Sequence, residues 1–175
     1  QKNVSREKAD GEVIVKVCGT RDNNVSAQMA VLSVTGDTVA RGSVKVKLNG
    51  RMTTAAAIPF SVKDPALWNG TSDPSLYKVK VRILNGNSVT DEMELSTGFR
   101  FFAVDGNGIF SLNGNPYRIK GANITQDRAM SAIAVVPYQV REDFDMIREM
   151  GANAVRVMGG PHPPEFYALC DQYGR

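Results

Sequence analysis

The spacing of apolar residues changes part-way along this chain, and no single sheet or helical bundle accommodates both patterns. Up to about Arg100 the apolar residues recur at every second position. Val13, Val15 and Val17 alternate with Ile14, Lys16 and Cys18, and Val44, Val46 and Leu48 with Lys45, Lys47 and Asn49. Val79, Val81 and Ile83 alternate with Lys80, Arg82 and Leu84. A period of two sends successive side chains to opposite faces of a strand, the mark of half-buried antiparallel pairing. After Gly121 the spacing lengthens: Val140, Phe144, Ile147 and Met150 or Gly151 form a stripe along one side of a helix. Two regions of different construction are therefore expected.

In the first region, Thr35-Gly36-Asp37, Asn49-Gly50 and Asn85-Gly86-Asn87 punctuate the strands as turns do. Several short strands with no helical stretch among them predict an all-β immunoglobulin-like β-sandwich over residues 1–100. A linking hairpin is expected over 101–120, its arms Gly108–Leu112 and Tyr117–Lys120 flanking Asn113-Gly114. That dipeptide suits a tight turn in which both central φ angles are positive.

From 121 onward the order reads strand, helix, strand, helix. Arg118 to Asn123 is the first expected strand. A helix follows Pro137, with Glu142 and Asp143 in its first turns and Gly151 as its stop. Asn153–Met158 is short, apolar and β-branched, as buried parallel strands are. Pro163-Pro164 then opens a helix carrying Phe166, Leu169, Cys170 and Tyr173 on its apolar side. Such alternation predicts a partial α/β segment, the first two βα units of a (β/α)8 barrel. A closed barrel of this type takes ~250 residues, so 121–175 is read as its N-terminal fragment.

Composition narrows the function classes. Apolar residues make up 42% and charged residues 22% of 175, which is globular rather than disordered. The net charge is only +3, cations and anions are interspersed, and no basic stripe with interleaved aromatics occurs, so no nucleic-acid partner is expected. No apolar run approaches the ~20 residues that span a bilayer, so no membrane partner is expected. Cys18 and Cys170 are too far apart in the chain for a disulfide scaffold or a zinc site, and are read as small buried apolar residues. Neither a metal nor a cofactor is expected.

Seven short motifs occur in order across both regions: Asp64-Pro-Ala-Leu-Trp68 with Asp73-Pro-Ser-Leu-Tyr77, Gly98-Phe-Arg100, Phe110-Ser-Leu-Asn-Gly114, Ile119 to Asp127, Gly151-Ala-Asn-Ala-Val-Arg156 and Phe166 to Gly174. In this order and spacing the chain resembles glycoside hydrolase family 2, the β-galactosidases, β-glucuronidases and β-mannosidases. The resemblance implies a jelly roll, an immunoglobulin-like sandwich and a catalytic barrel in the parent, with a carbohydrate substrate. It places the acid/base glutamate after barrel strand four and the nucleophile on strand seven, both beyond Arg175. Retaining cleavage needs two carboxyl groups ~5–5.5 Å apart, so the chain by itself is expected to be inactive.

Barrel active sites lie at the C-terminal ends of the strands. There the resemblance assigns Asn123 and Asp127 to the sugar subsite and Arg156 to support of the nucleophile by charge-assisted hydrogen bonds. A salt bridge within the barrel is the plainer role for Arg156, and a loop or cap role for Asp127. Family β-galactosidases usually have His where this chain has Thr125, and Ser-His-Tyr or Ala-His-Tyr at Met158-Gly159-Gly160, which allows another sugar or an inactive relative. His162 is read as a capping or surface residue, Trp68 and Tyr77 as structural residues at a strand entry of the sandwich, and Asp105–Gly108 as a tight turn rather than a calcium loop. Exposed apolar faces on a partial barrel make self-association an expectation. The competing reading is a non-catalytic carbohydrate-binding or adhesion module, and the βαβα tail argues against it.

Overall fold

A computed structural model describes residues 3–129 and 132–175. The chain divides into two units, one formed by Gln1–Ala66 with Leu76–Phe99, the other by Leu67–Ser75 with Arg100–Arg175.

The first unit is a sandwich of seven strands: β1 (Asn3–Val4), β2 (Lys8–Cys18), β3 (Asn23–Leu32), β4 (Thr38–Leu48), β5 (Thr53–Lys63), β6 (Tyr77–Asn85) and β7 (Ser88–Thr97). One sheet runs β1-β2-β5 and the other β4-β3-β6-β7, all pairs antiparallel. The period-two reading places the core correctly. Val25, Ala27, Met29 and Val31 of β3 are buried, as are Val46 and Leu48 of β4 and Val79 and Ile83 of β6. Phe99 is fully buried, its ring 4.8 Å from Tyr77 and 6.1 Å from Phe60. Tyr77 Oη also accepts the Ala66 N–H at 2.8 Å, which gives the buried phenol its partner. Cys18 departs from expectation. It falls on the outward phase of β2 and is exposed.

The second unit opens with β8 (Phe102–Val104), β9 (Phe110–Leu112) and β10 (Asn115–Pro116), a small antiparallel sheet in the order β10-β9-β8. Between β8 and β9, Asp105 Oδ1 accepts the Asn107 and Ile109 N–H groups, a tight turn capped by its own aspartate. Asn113 (φ 53°) and Gly114 (φ 80°) both lie in the left-handed region, the type I′ geometry that Asn-Gly favours. The returning arm is shorter than expected. Tyr117 still donates its N–H to the Phe110 carbonyl at 2.9 Å, and residues 118–120 then leave the sheet.

Those residues are held instead by Asn153. Its Oδ1 accepts the Lys120 N–H at 2.7 Å and its Nδ2 donates to the Arg118 carbonyl at 2.9 Å. The first parallel strand consequently starts at Gly121 rather than Arg118. It is β11 (Gly121–Thr125), paired in parallel with β12 (Ala154–Met158).

Helix α1 (Pro137–Glu149) follows β11, and α2 (Pro164–Tyr173) follows β12. At the start of α1 the Gln139 side chain reaches back to accept the Val136 N–H at 3.0 Å, one half of a capping box. Glu142 and Asp143 lie beyond the first turn, contrary to expectation, where Arg128 rather than the helix end takes their charge. Val140 and Phe144 of α1 and Phe166 and Leu169 of α2 make one buried cluster, against which Ile124, Val155 and Val157 pack. The helices thus cover one face of the two-stranded sheet. The second unit has the order of two βα units of a parallel barrel.

Candidate active site

The opposite face of that sheet is uncovered. On it lie Asn123 and Thr125 of β11 and Arg156 and Met158 of β12, all exposed, while Ala122, Ile124, Val155 and Val157 alternate toward the helices. In register, Asn123 pairs with Arg156 and Thr125 with Met158. Neighbouring residues of adjacent parallel strands share a face, so the structure brings Asn123 and Arg156 side by side. Among the described residues, no carboxylate forms an ion pair with Arg156.

Asp127 lies two residues past β11 and is exposed. Its N–H bonds back to the Thr125 carbonyl at 3.0 Å, which turns the chain sharply at the strand end. Among the described residues, no hydrogen bond joins Asp127 to Asn123 or Arg156.

A cavity of about 310 Å³ opens where the strands end, lined by Thr125, Gln126, Ile133, Met158, Gly159 and His162, among others. One hydrogen bond joins two of its lining residues. Gln126 Nε2 donates to the Ile133 carbonyl at 2.9 Å. Arg128 binds Asp143 Oδ1 at 2.7 Å and the Gln139 carbonyl at 2.7 Å, with Glu142 at 3.3 Å. Burial pushes the Asp143 carboxyl above the ordinary aspartate value, and the Arg128 charge opposes that only in part.

His162 is neither a cap nor a surface residue. It is 9% exposed, its ring centroid is 4.6 Å from that of Phe166, and no side chain caps α2. Its main-chain N–H donates to Tyr167 Oη at 3.1 Å, and among the described residues its buried Nε2 has no hydrogen-bond partner. Its place ahead of Pro163-Pro164 at a helix start points to a cap or a surface residue. The chain instead folds the imidazole over Phe166, and only the long apolar stripe of α2 hinted at a surface able to receive it.

Trp68 also lies in the second unit, buried, with Nε1 donating to the Asp171 carbonyl at 2.8 Å and the Arg100 guanidinium 4.6 Å from its ring centroid. Asn113, 2% exposed, donates from Nδ2 to the Trp68 carbonyl at 2.9 Å and to Asn69 Oδ1 at 2.6 Å, and accepts the Phe101 N–H at 3.0 Å. Burial and the Arg100 guanidinium leave the indole no free face for a sugar, so Trp68 is structural, although it belongs to the second unit rather than to the sandwich.

The family model for glycosyl hydrolases family 2 matches residues 1–100, and that for the TIM barrel domain of the same family matches residues 102–175. The chain belongs to glycosyl hydrolase family 2. A Formosa agariphila protein named "Putative beta-glucuronidase" is 34% identical over 172 residues, covering 98% of this chain and 20% of that protein. A β-glucuronidase of Bacteroides fragilis is 31% identical over 165 residues, covering 91% of this chain and 24% of its own length. The crystal structure of a Bacteroides uniformis β-glucuronidase superposes with a TM-score of 0.91 at 27% identity, over 99% of this chain and 21% of that one. The chain therefore spans about a quarter or less of these family 2 relatives. Within the family the architecture is now specific: an immunoglobulin-like sandwich followed by the first two βα units of the TIM barrel.

Proposed function

We propose that this chain is part of a retaining family 2 β-glycosidase, with Asn123 and Arg156 on the wall that meets the sugar. The observation that carries this reading is the Asn123–Arg156 pair on the uncovered face of β11 and β12. An unpaired guanidinium beside an amide presents several fixed N–H donors toward space that a barrel interior would occupy. Such donors suit a carboxylate nucleophile or sugar hydroxyls, and strengthen as charge develops if they are held in place beforehand. Asp127, exposed at the turn that ends β11, is assigned to the same sugar-facing end of the strands. Residues 1–100, apart from the Leu67–Ser75 loop that groups with the second unit, supply the sandwich domain, 101–120 lead into the barrel piece, and the exposed apolar residues Ile133 and Met158 favour association of the isolated chain.

By itself the chain hydrolyses no glycoside, because no pair of carboxylates stands on the uncovered strand face. The test uses the enzyme that carries this chain, assayed on nitrophenyl β-glucuronide and β-galactoside. Arg156→Ala is expected to lower kcat/KM about a hundredfold, the scale of losing one preorganised charged donor, and Arg156→Lys to recover only part of it. Undiminished kcat/KM in Arg156→Ala, with the protein folded, would refute the role.

A further inference from the structure

The outer face of the four-stranded sheet in the first unit gathers more positive charge than the chain carries overall. Arg41, Lys45 and Lys47 of β4 and Lys78, Lys80 and Arg82 of β6 all fall on the outward phase of their strands. Across the same face β7 supplies two carboxylates, Glu92 opposite Arg82 and Glu94 opposite Lys80. Six cations against two anions exceed the net +3 of the whole chain. Read linearly, these residues are interspersed with apolar and acidic ones. Only the register collects them.

The carboxylates are engaged at one side of the face. Lys78 pairs with Glu94 at 2.9 Å, and Glu92 holds Lys80 at 2.9 Å and Arg82 at 2.5 Å. Among the described residues, no carboxylate pairs with Arg41 or Lys45. In register, Ala30 sits between Arg41 and Lys80, and Gln28 between Ser43 and Arg82. A methyl group between two long cationic side chains leaves a trough. A depression of about 580 Å³ lies there, lined by these residues. Its size falls within the ~300–1,000 Å³ of small-molecule sites.

The lining chemistry selects a ligand class. Guanidinium and ammonium groups match carboxylate or sulfate, while the Gln28 amide and the Ser43 hydroxyl match sugar hydroxyls. No aromatic residue lines the trough, so a neutral sugar ring lacks a stacking platform and a nucleobase lacks one too. We propose that this face binds an acidic polysaccharide, carboxylated or sulfated, with its anionic group on Arg41 and its hydroxyls toward Gln28 and Ser43. The site lies wholly within the first unit and requires no bond cleavage, so it stands or falls separately from the role given to Arg156.

The test measures binding of the 175-residue chain to polygalacturonate (carboxylated), heparin (sulfated), dextran (neutral) and a DNA duplex. Binding to at least one acidic polysaccharide, and none to dextran, is expected. Arg41→Ala should weaken it about tenfold, the scale of one charge-assisted contact, while the control Lys16→Ala on β2 leaves it unchanged. Circular dichroism confirms that both variants fold. The proposal is overturned by failure of both acidic polysaccharides to bind, by equal binding of dextran, by tighter binding of DNA, or by equal losses in Arg41→Ala and Lys16→Ala.

Discussion

Trp68 and Asp171, 103 positions apart, are joined by an indole N–H donated to a main-chain carbonyl at 2.8 Å. The indole is buried, so the bond cannot be replaced by water without rearrangement. Trp68→Phe keeps the apolar contact and deletes the donor, leaving a carbonyl near the end of α2 unsatisfied. A loss of about 1–3 kcal/mol is expected, read as a lower urea midpoint of the helical circular-dichroism signal.

Gly174 ends α2 at φ 73°, and a Cβ built there would lie 2.2 Å from the carbonyl carbon and oxygen of Gly70. Both contacts are with main chain, which yields less readily than a side chain. Gly174→Ala should cost more than the ~1–2 kcal/mol of left-handed strain alone. Trp68 is the chain's single tryptophan. Its emission therefore reports on the second unit, and should shift to the red at lower denaturant in this variant. An unchanged transition would contradict the packing described.

The two cysteines should differ sharply in reactivity. Cys18 is exposed on β2, whereas burial pushes the Cys170 thiol up to about 11. Thiolate is the reactive form, so iodoacetamide at neutral pH should label Cys18 and spare Cys170 in the folded protein. Peptide mass spectrometry after timed quenching measures this. Equal labelling of both would mean that α2 is not packed as described.

The sequence yields the period and the order of elements more readily than their ends. Val140, Phe144 and Ile147 announce α1, and Val155 and Val157 announce β12, because both patterns follow from which face meets the core. β11 starts later than its apolar pattern predicts because a side chain distant in sequence, Asn153, takes hydrogen bonds of residues 118–120. The burial of His162 escapes a linear reading for a related reason: its environment is made by the Phe166 ring and the Tyr167 hydroxyl, and no local pattern encodes that. Asn123 and Arg156 were legible as candidates from their motifs. Their adjacency came only with the parallel register.

Asp143 provides a pH signature. Burial raises its carboxyl in the folded state above the ordinary aspartate value, despite Arg128. The native state thus holds that proton more tightly than the unfolded chain. The stabilisation is fully present below the unfolded aspartate value of about 4 and is lost as pH rises through the higher folded value. The stability advantage of the wild type over Asp143→Asn should therefore be largest in acid and shrink toward neutrality. Urea titrations from about pH 3 to about pH 7 test the sign; an advantage that grows with pH would reverse it.

Leu67–Ser75 packs with Arg100–Arg175, although the strands on either side of it in sequence belong to the sandwich. A genetic cut after residue 100, the natural place from the family boundaries, would thus strip the barrel piece of its tryptophan anchor and leave the sandwich with a loop deprived of its seat. Neither product would be a faithful miniature of its unit. Any shortened form should keep Leu67–Ser75 and α2 on one polypeptide.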